Sequence, residues 1–150
     1  MTQGTILLVE DNEDDAELTV LAFKRARLLN PVVIADDGAK ALDHLFGSGQ
    51  FAAPDAPLPL LMILDLNLPK VSGLDVLRRV RADERTRLMP VVVLSTSNED
   101  EDVINSYALG ANAYVRKPVA FEDFLTAAAR LGMFWLMTNT QAPPGAPPPA

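Results

Sequence analysis

Cysteine is absent from the 150 residues, which excludes both a disulfide framework and a thiolate-ligated metal. The absence fits a reducing cytosol. Histidine occurs once, as His44, with no second ligand at helical spacing. A metal or phosphodonor role for it therefore has little support, and a solvated helix face is its plainest place. No apolar run approaches the ~20 residues that a membrane span needs. Met1 is followed by polar residues and then a short run carrying Glu10, which is not the pattern of a signal peptide. Positive charge is scarce: 13 Lys and Arg stand against 20 Asp and Glu, for a formal net charge of -7 and a pI near 4.6. A chain this acidic repels a phosphate backbone, which argues against nucleic acid as a partner. The one dense basic cluster, Arg78, Arg79, Arg81, Arg85 and Arg87, reads at helical spacing as a solvated face.

What is present suits one soluble globular domain with a full-sized core, since 49% of the residues are hydrophobic and 22% charged. Thr5 to Val9 is a continuous apolar run ending in Glu10-Asp11. Asn12 and the acids Glu13, Asp14 and Asp15 then open a helix, where negative charge complements the helix dipole. That helix reaches about Leu28, with Leu18, Leu21, Ala22, Arg25 and Leu28 at helical spacing, and Asn30-Pro31 stops it. Val32 to Ala35 is a second strand, Asp36-Asp37-Gly38 a turn, and Ala39 to Phe46 a short helix. Gly47 to Pro59 is a Gly-, Pro- and Ala-rich loop. Leu60-Leu61-Met62-Ile63-Leu64 follows, apolar on both faces and running straight into Asp65. Leu74 to about Asp83 is helical. Met89 to Leu94 is a fourth strand ending at Ser95, and Asn98 to Gly110 another acidic helix. Ala113 to Arg116 is a fifth strand ending at Lys117-Pro118. The stripe Phe121, Phe124, Leu125 and Ala128 marks the core face of a last helix, which runs to Trp135. From Thr138 the chain turns polar and then Pro-rich, so residues 1–137 form the domain and 138–150 an unfolded tail.

Strand and helix thus alternate five times, which implies a parallel sheet with helices on both faces. Right-handed crossovers put every strand's carboxyl end on one rim, where ligands bind in such folds. That rim collects Glu10, Asp11 and Asp65, together with the Ser95 hydroxyl and the Lys117 ammonium. Close carboxylates repel unless a cation lies among them, and oxygen donors suit Mg2+. A hydroxyl and an ammonium beside that cation would receive a phosphoryl oxyanion. The chemistry expected is Mg2+-assisted phosphoryl transfer on or beside Asp65, and spacing alone does not say which acid is attacked.

Five motifs, in order and each at an element end, give the chain a specific resemblance. They are Leu8-Val9-Glu10-Asp11-Asn12, Ala35-Asp36-Asp37-Gly38, Leu64-Asp65-Leu66-Asn67-Leu68-Pro69 with Gly73, Ser95, and Tyr114-Val115-Arg116-Lys117-Pro118. Over Thr5 to Trp135 the sequence resembles the receiver domain of two-component response regulators. The resemblance implies a flavodoxin-like, doubly wound (βα)5 fold with strand order 2-1-3-4-5. It implies that Asp65 accepts phosphoryl from the phosphohistidine of a sensor histidine kinase. Mg2+ would be held by Glu10, Asp11, Asp65 and the backbone carbonyl of Asn67. Lys117 would pair with the phosphoryl group, ahead of a cis Lys117-Pro118 bond. Ser95 would turn towards the phosphoryl group and Tyr114 would follow by changing rotamer. Ser95 stands where Thr is more usual, and Glu10-Asp11 replaces a pair of aspartates. A finer resemblance, to small stand-alone receivers, rests on four stretches. These are the acidic run Val9-Glu10-Asp11-Asn12-Glu13-Asp14-Asp15, Asp65-Leu66-Asn67-Leu68-Pro69-Lys70, Ser95-Thr96-Ser97-Asn98, and Phe134-Trp135. It implies a bacteriophytochrome as kinase.

Other readings are weaker. Asp11, Glu13 and Asp15 mimic the start of a calcium loop, but Ala16 and Ala22 occupy its sixth and twelfth positions. A haloacid-dehalogenase-type phosphatase resembles Asp-x-Asp, whereas Asp65 is followed two on by Asn67, and no cap insertion is present. A phosphorylation-independent module of the same fold would be expected to lose an acid or the lysine, and all are kept. No output segment is read after Trp135, so output is expected through protein contacts or phosphoryl relay. Met133, Phe134, Leu136 and Met137 carry apolar character around the helix end, more than one buried face needs, which points to a homodimer contact.

Overall fold

The computed structural model describes residues 4–47 and 58–143. Five strands, β1 (Ile6–Val9), β2 (Val32–Ala35), β3 (Leu61–Leu64), β4 (Val91–Ser95) and β5 (Ala113–Arg116), alternate with α1 (Glu13–Arg25), α2 (Gly38–Phe46), α3 (Gly73–Ala82), α4 (Asp100–Ala108) and α5 (Phe121–Met133). All strand pairings are parallel and the order is β2-β1-β3-β4-β5. This is the flavodoxin-like arrangement, with the chain order reversing beside β1.

The central strands are apolar on both faces because each face has its own helices. Leu7, Val9, Met62, Leu64, Val91 and Val93 pack with α2 and α3 on one side. Ile6, Leu8, Ile63, Val92 and Leu94 pack with α1 and α5 on the other. The alternation along each strand assigns successive residues to the two cores.

α1 ends at Arg25, before the expected Leu28, in a Schellman turn. The Leu28 N–H donates to the Phe23 carbonyl and the Arg27 N–H to the Lys24 carbonyl, with Arg27 at φ 60°. Its buried face is Ala16, Thr19, Ala22 and Phe23, whereas Arg25 is exposed. α5 widens after Met133 into a π-helical turn, Phe134–Thr138, closed by the Asn139 N–H on the Phe134 carbonyl. Phe121, expected in the core, is 48% exposed: it is the first residue of α5, whose buried residues begin at Phe124. Leu58 to Leu60, Leu88 to Pro90, Leu136, Asn139 and Gln141 to Pro143 border a cavity of about 610 Å3. Residues 144–150 of the Pro-rich tail and 48–57 of the long loop lie outside the described residues.

The arginine cluster is not one solvated face. Arg81 donates to the carbonyls of Thr86, Arg87, Met89 and Gly110 and to the Asn112 Oδ1. It ties the end of α3 to the turns before β4 and β5. Arg79 and Arg85 lie over the Phe46 ring at 5.7 and 5.8 Å.

Candidate functional site

The rim of the sheet is built by the same ladder that builds its strands. The Glu10 N–H donates to the Ala35 carbonyl, the Asp65 N–H to Val9, and the Lys117 N–H to Ser95. Each of these functional residues therefore sits at or one step beyond its strand's last pair, fixed by its neighbour. That is why residues far apart in sequence arrive together at one edge.

Lys117 is the centre of the arrangement. Its Nζ lies 2.5 Å from Glu10 Oε1, 2.9 Å from Asp15 Oδ2 and 3.1 Å from Asp65 Oδ2. An ammonium has three donors, and here it has three carboxylate acceptors. Burial pushes the Glu10 carboxyl up to about 8, the adjacent Asp65 carboxyl adds to the rise, and Lys117 opposes it. Burial alone would lower the Lys117 ammonium, but Glu10, Asp15 and Asp65 more than offset this and hold it above the usual lysine range. The pocket thus has more negative charge than one ammonium neutralises.

Glu10, Asp11 and Asp65 each offer one oxygen, all within 4.8 Å of one another. Glu10 and Asp65 are buried and Asp11 faces solvent. An all-oxygen set, two walls buried and one open, fits a hard, partly hydrated divalent cation such as Mg2+. Asn67 is two residues on from Asp65, and its N–H donates to Asp65 Oδ1 at 3.2 Å. The turn carrying Asn67 is gripped from both ends. A Cβ on Gly73 would lie 2.3 Å from the Asp65 carbonyl oxygen, and one on Gly38 would lie 2.1 Å from that of Val71. Asp37, which is buried, caps α2 by accepting from the Lys40 N–H at 2.7 Å and pairs with Lys70 at 3.7 Å.

Ser95 is fully buried, and its Oγ accepts from the Ser97 N–H at 3.3 Å. The Ser97 carbonyl accepts from the Tyr114 hydroxyl at 3.0 Å. The Ser97 Oγ donates to Asp102 Oδ2 at 2.5 Å and accepts from the Glu99 N–H at 3.3 Å. Tyr114 is half-buried against the core under α2 and α3. Ser95 and Tyr114 are thus joined through Ser97.

One expectation fails: among the described residues no peptide bond is cis, so Lys117-Pro118 is trans. An X–Pro bond prefers trans by only about 0.5–1 kcal/mol, so the sequence does not dictate the isomer, and trans still delivers the ammonium to Asp65. Asp15 is the site residue that sequence reasoning passed over, being one acid among three at a helix start. His44 is half-buried rather than on a solvated face. It lines a groove with Glu10, Asp11, Glu13, Glu17 and Lys40, and burial lowers its pKa.

Residues 6–129 match the response regulator receiver domain family. The chain is 39% identical over 142 residues to the probable methanogenesis regulatory protein FilR2 of Methanothrix harundinacea, covering 93% of this chain and 88% of that one. It is 37% identical over 135 residues to response regulator Rcp1 of Synechocystis sp., covering 90% of each. The solved Mn2+-bound form of Rcp1 superposes with a TM-score of 0.86, over 93% of this chain and 99% of that one. The bacteriophytochrome response regulator RtBRR is 50% identical, with a TM-score of 0.74, over 95% of this chain and 85% of that one.

Proposed function

The chain belongs to the response regulator receiver family, and from that premise we propose that Asp65 accepts a phosphoryl group from the phosphohistidine of a sensor histidine kinase. An Asp65 carboxylate oxygen attacks phosphorus, the P–N bond breaks, and the imidazole leaves with the bonding pair. The product is an acyl phosphate. Glu10, Asp11 and Asp65, with the Asn67 carbonyl, would hold Mg2+, which supplies charge neutralisation and alignment at the transferring group. Lys117, now shared among three carboxylates, has its donors within reach of an oxyanion on Asp65. Ser95 supplies a hydroxyl at the next strand end, and its departure from the Ser97 N–H would free the Ser97–Tyr114 pair to move.

The observation that carries this reading is the 3.1 Å contact between Lys117 Nζ and Asp65 Oδ2 within a buried acid cluster. The likeness to RtBRR, a bacteriophytochrome response regulator, supports a bacteriophytochrome as the kinase. We further propose a cytoplasmic protein; among the described residues no helix is long and apolar enough to cross a membrane. A homodimer would be formed through the end of α5, where Met133, Phe134 and Met137 are exposed; light scattering would then give twice the chain's mass at micromolar concentration. The function is tested with acetyl phosphate and Mg2+. Mass spectrometry should show one added phosphoryl group, absent from Asp65→Asn. Equal labelling of that variant would move the acceptor elsewhere, and an unlabelled wild type would favour the phosphorylation-independent module.

A further inference from the structure

We propose that Asp15 is a positioning residue for Lys117: it holds the ammonium over Asp65 while the other acids of the pocket turn to the metal. The inference rests on the reading of Asp65 as phosphoacceptor and deepens it. Lys117 Nζ has three partners, of which Glu10 and Asp65 belong to the acid group that could hold a cation, while Asp15 does not. When Glu10 and Asp65 give charge to a divalent ion, their hold on the ammonium weakens. Asp15, at 2.9 Å, is the one carboxylate left with no competing demand.

The local structure of α1 directs Asp15 to this task. Asn12 is the N-cap and Asp15 the third helical residue, whose N–H donates to Asn12 Oδ1 at 3.0 Å. In a capping box the acid at that position folds back onto the N-cap N–H. Here the Asn12 N–H donates to Glu10 Oε2 at 3.3 Å instead, so the Asp15 carboxylate is released to cross to β5. The Asp15 carbonyl accepts from the buried Thr19 hydroxyl at 2.9 Å, which fixes its backbone from the opposite side. The Asp15 side chain is 24% exposed against 4% for Lys117, so it bridges the pocket to solvent. A fixed anion behind a cation orients it, and orientation is what phosphoryl transfer mostly needs.

The test uses Asp15→Asn, Asp15→Glu, Lys117→Met and the Asp15→Asn/Lys117→Met double variant of the full chain. Two measurements are made, and wild-type and Asp65→Asn labelling by acetyl phosphate serve as controls. In the metal-free protein, the 15N-labelled Lys117 ammonium should give a proton-protected NMR signal that Asp15→Asn removes. At saturating Mg2+, the acetyl phosphate labelling rate should fall ~10-fold in Asp15→Asn, within the range that a small misplacement costs, while the Mg2+ Kd stays as in wild type. Asp15→Glu should recover part of the rate. In the Lys117→Met background Asp15→Asn should have no further effect. A wild-type rate and ammonium signal in Asp15→Asn would overturn the proposal, as would an equal rate loss in the Lys117→Met background. Absence of Asp65-dependent labelling in wild type would instead overturn the phosphoacceptor reading.

Discussion

Replacing Lys117 by Met removes the charge from the pocket and keeps most of the side chain's volume. The structure puts the ammonium 2.9 and 3.1 Å from the Asp15 and Asp65 carboxylates and 2.5 Å from the Glu10 carboxyl, which burial pushes up to about 8; each contact with a charged carboxylate is worth ~5–6 kcal/mol of Coulomb energy at an effective dielectric of 20, before desolvation. Desolvation offsets most of that, and removing one partner of a buried pair typically costs ~3–5 kcal/mol because the other is left uncompensated. Lys117→Met should therefore lose about 3–5 kcal/mol in EDTA, read from the midpoint of urea unfolding with the slope unchanged. Urea is the right denaturant because guanidinium would screen the very charges at issue. Mg2+ should restore much of the loss. A cation at ~100 times its Kd adds about 2.7 kcal/mol to the folded state, and the variant's acids are no longer engaged by an ammonium. Mg2+ should thus stabilise the variant more than the wild type. An equal Mg2+ increment in both proteins, or a variant as stable as wild type in EDTA, would refute the view that one positive charge holds this pocket together.

Three further changes probe the supports of the site. Gly73→Ala places a Cβ 2.3 Å from the Asp65 carbonyl oxygen and 2.6 Å from the Leu66 Cα; it should cost ~1–3 kcal/mol by urea unfolding and weaken Mg2+ binding in titration calorimetry, because the β3–α3 turn must open. Arg81→Leu strips a donor from the carbonyls of Thr86, Arg87, Met89 and Gly110, and should lower stability by ~2–4 kcal/mol with the acetyl phosphate labelling rate unchanged. Ser97→Ala removes the hydroxyl that bonds Asp102 and the Glu99 N–H; hydrogen exchange in the first turn of α4 should quicken about 10-fold, on the scale of a lost helix cap, while labelling of Asp65 persists.

The sheet was legible because its three central strands are short runs buried on both faces, a pattern that few other structures accept. Leu60 to Leu64 could be read as a central strand, and the five rim residues then followed from topology. The missing pieces are those where one residue type has two common uses. Asp15 looks like a helix-dipole acid, and its partner lies 102 residues away. Arg81 looks like one more member of an arginine cluster at helical spacing, and only the fold shows that the turns before β4 and β5 both leave carbonyls at its position. Phe121 matches the helical stripe of Phe124 and Leu125, but as the first residue of α5 it is left half exposed. Lys117-Pro118 carries no local signal strong enough to select its isomer. Contacts between distant segments decide each of these, and periodicity along one segment cannot report them.

The charge imbalance at Asp65 and the network at Ser97 lie on neighbouring strands, and on the proposed phosphoacceptor reading this proximity would let the site act as a switch. On the proposed reading, a phosphoryl group on Asp65 would replace the single carboxylate charge by about two on the acyl phosphate at neutral pH, a net gain of about one. Lys117 would be the charge to follow it, and Ser95 the hydroxyl. Ser95 is bonded to Ser97, and Ser97 holds both Tyr114 and the start of α4. α4 is the least anchored of the five helices: Ser106 is its one buried residue, and Ile104 and Tyr107 lie open to solvent. An element with so little buried apolar surface moves at small cost in free energy. β4 is buried along its whole length whereas β5 is only part-buried, so on the proposed reading a change at Asp65 would travel through Ser97 to the exposed face of α4 and to β5.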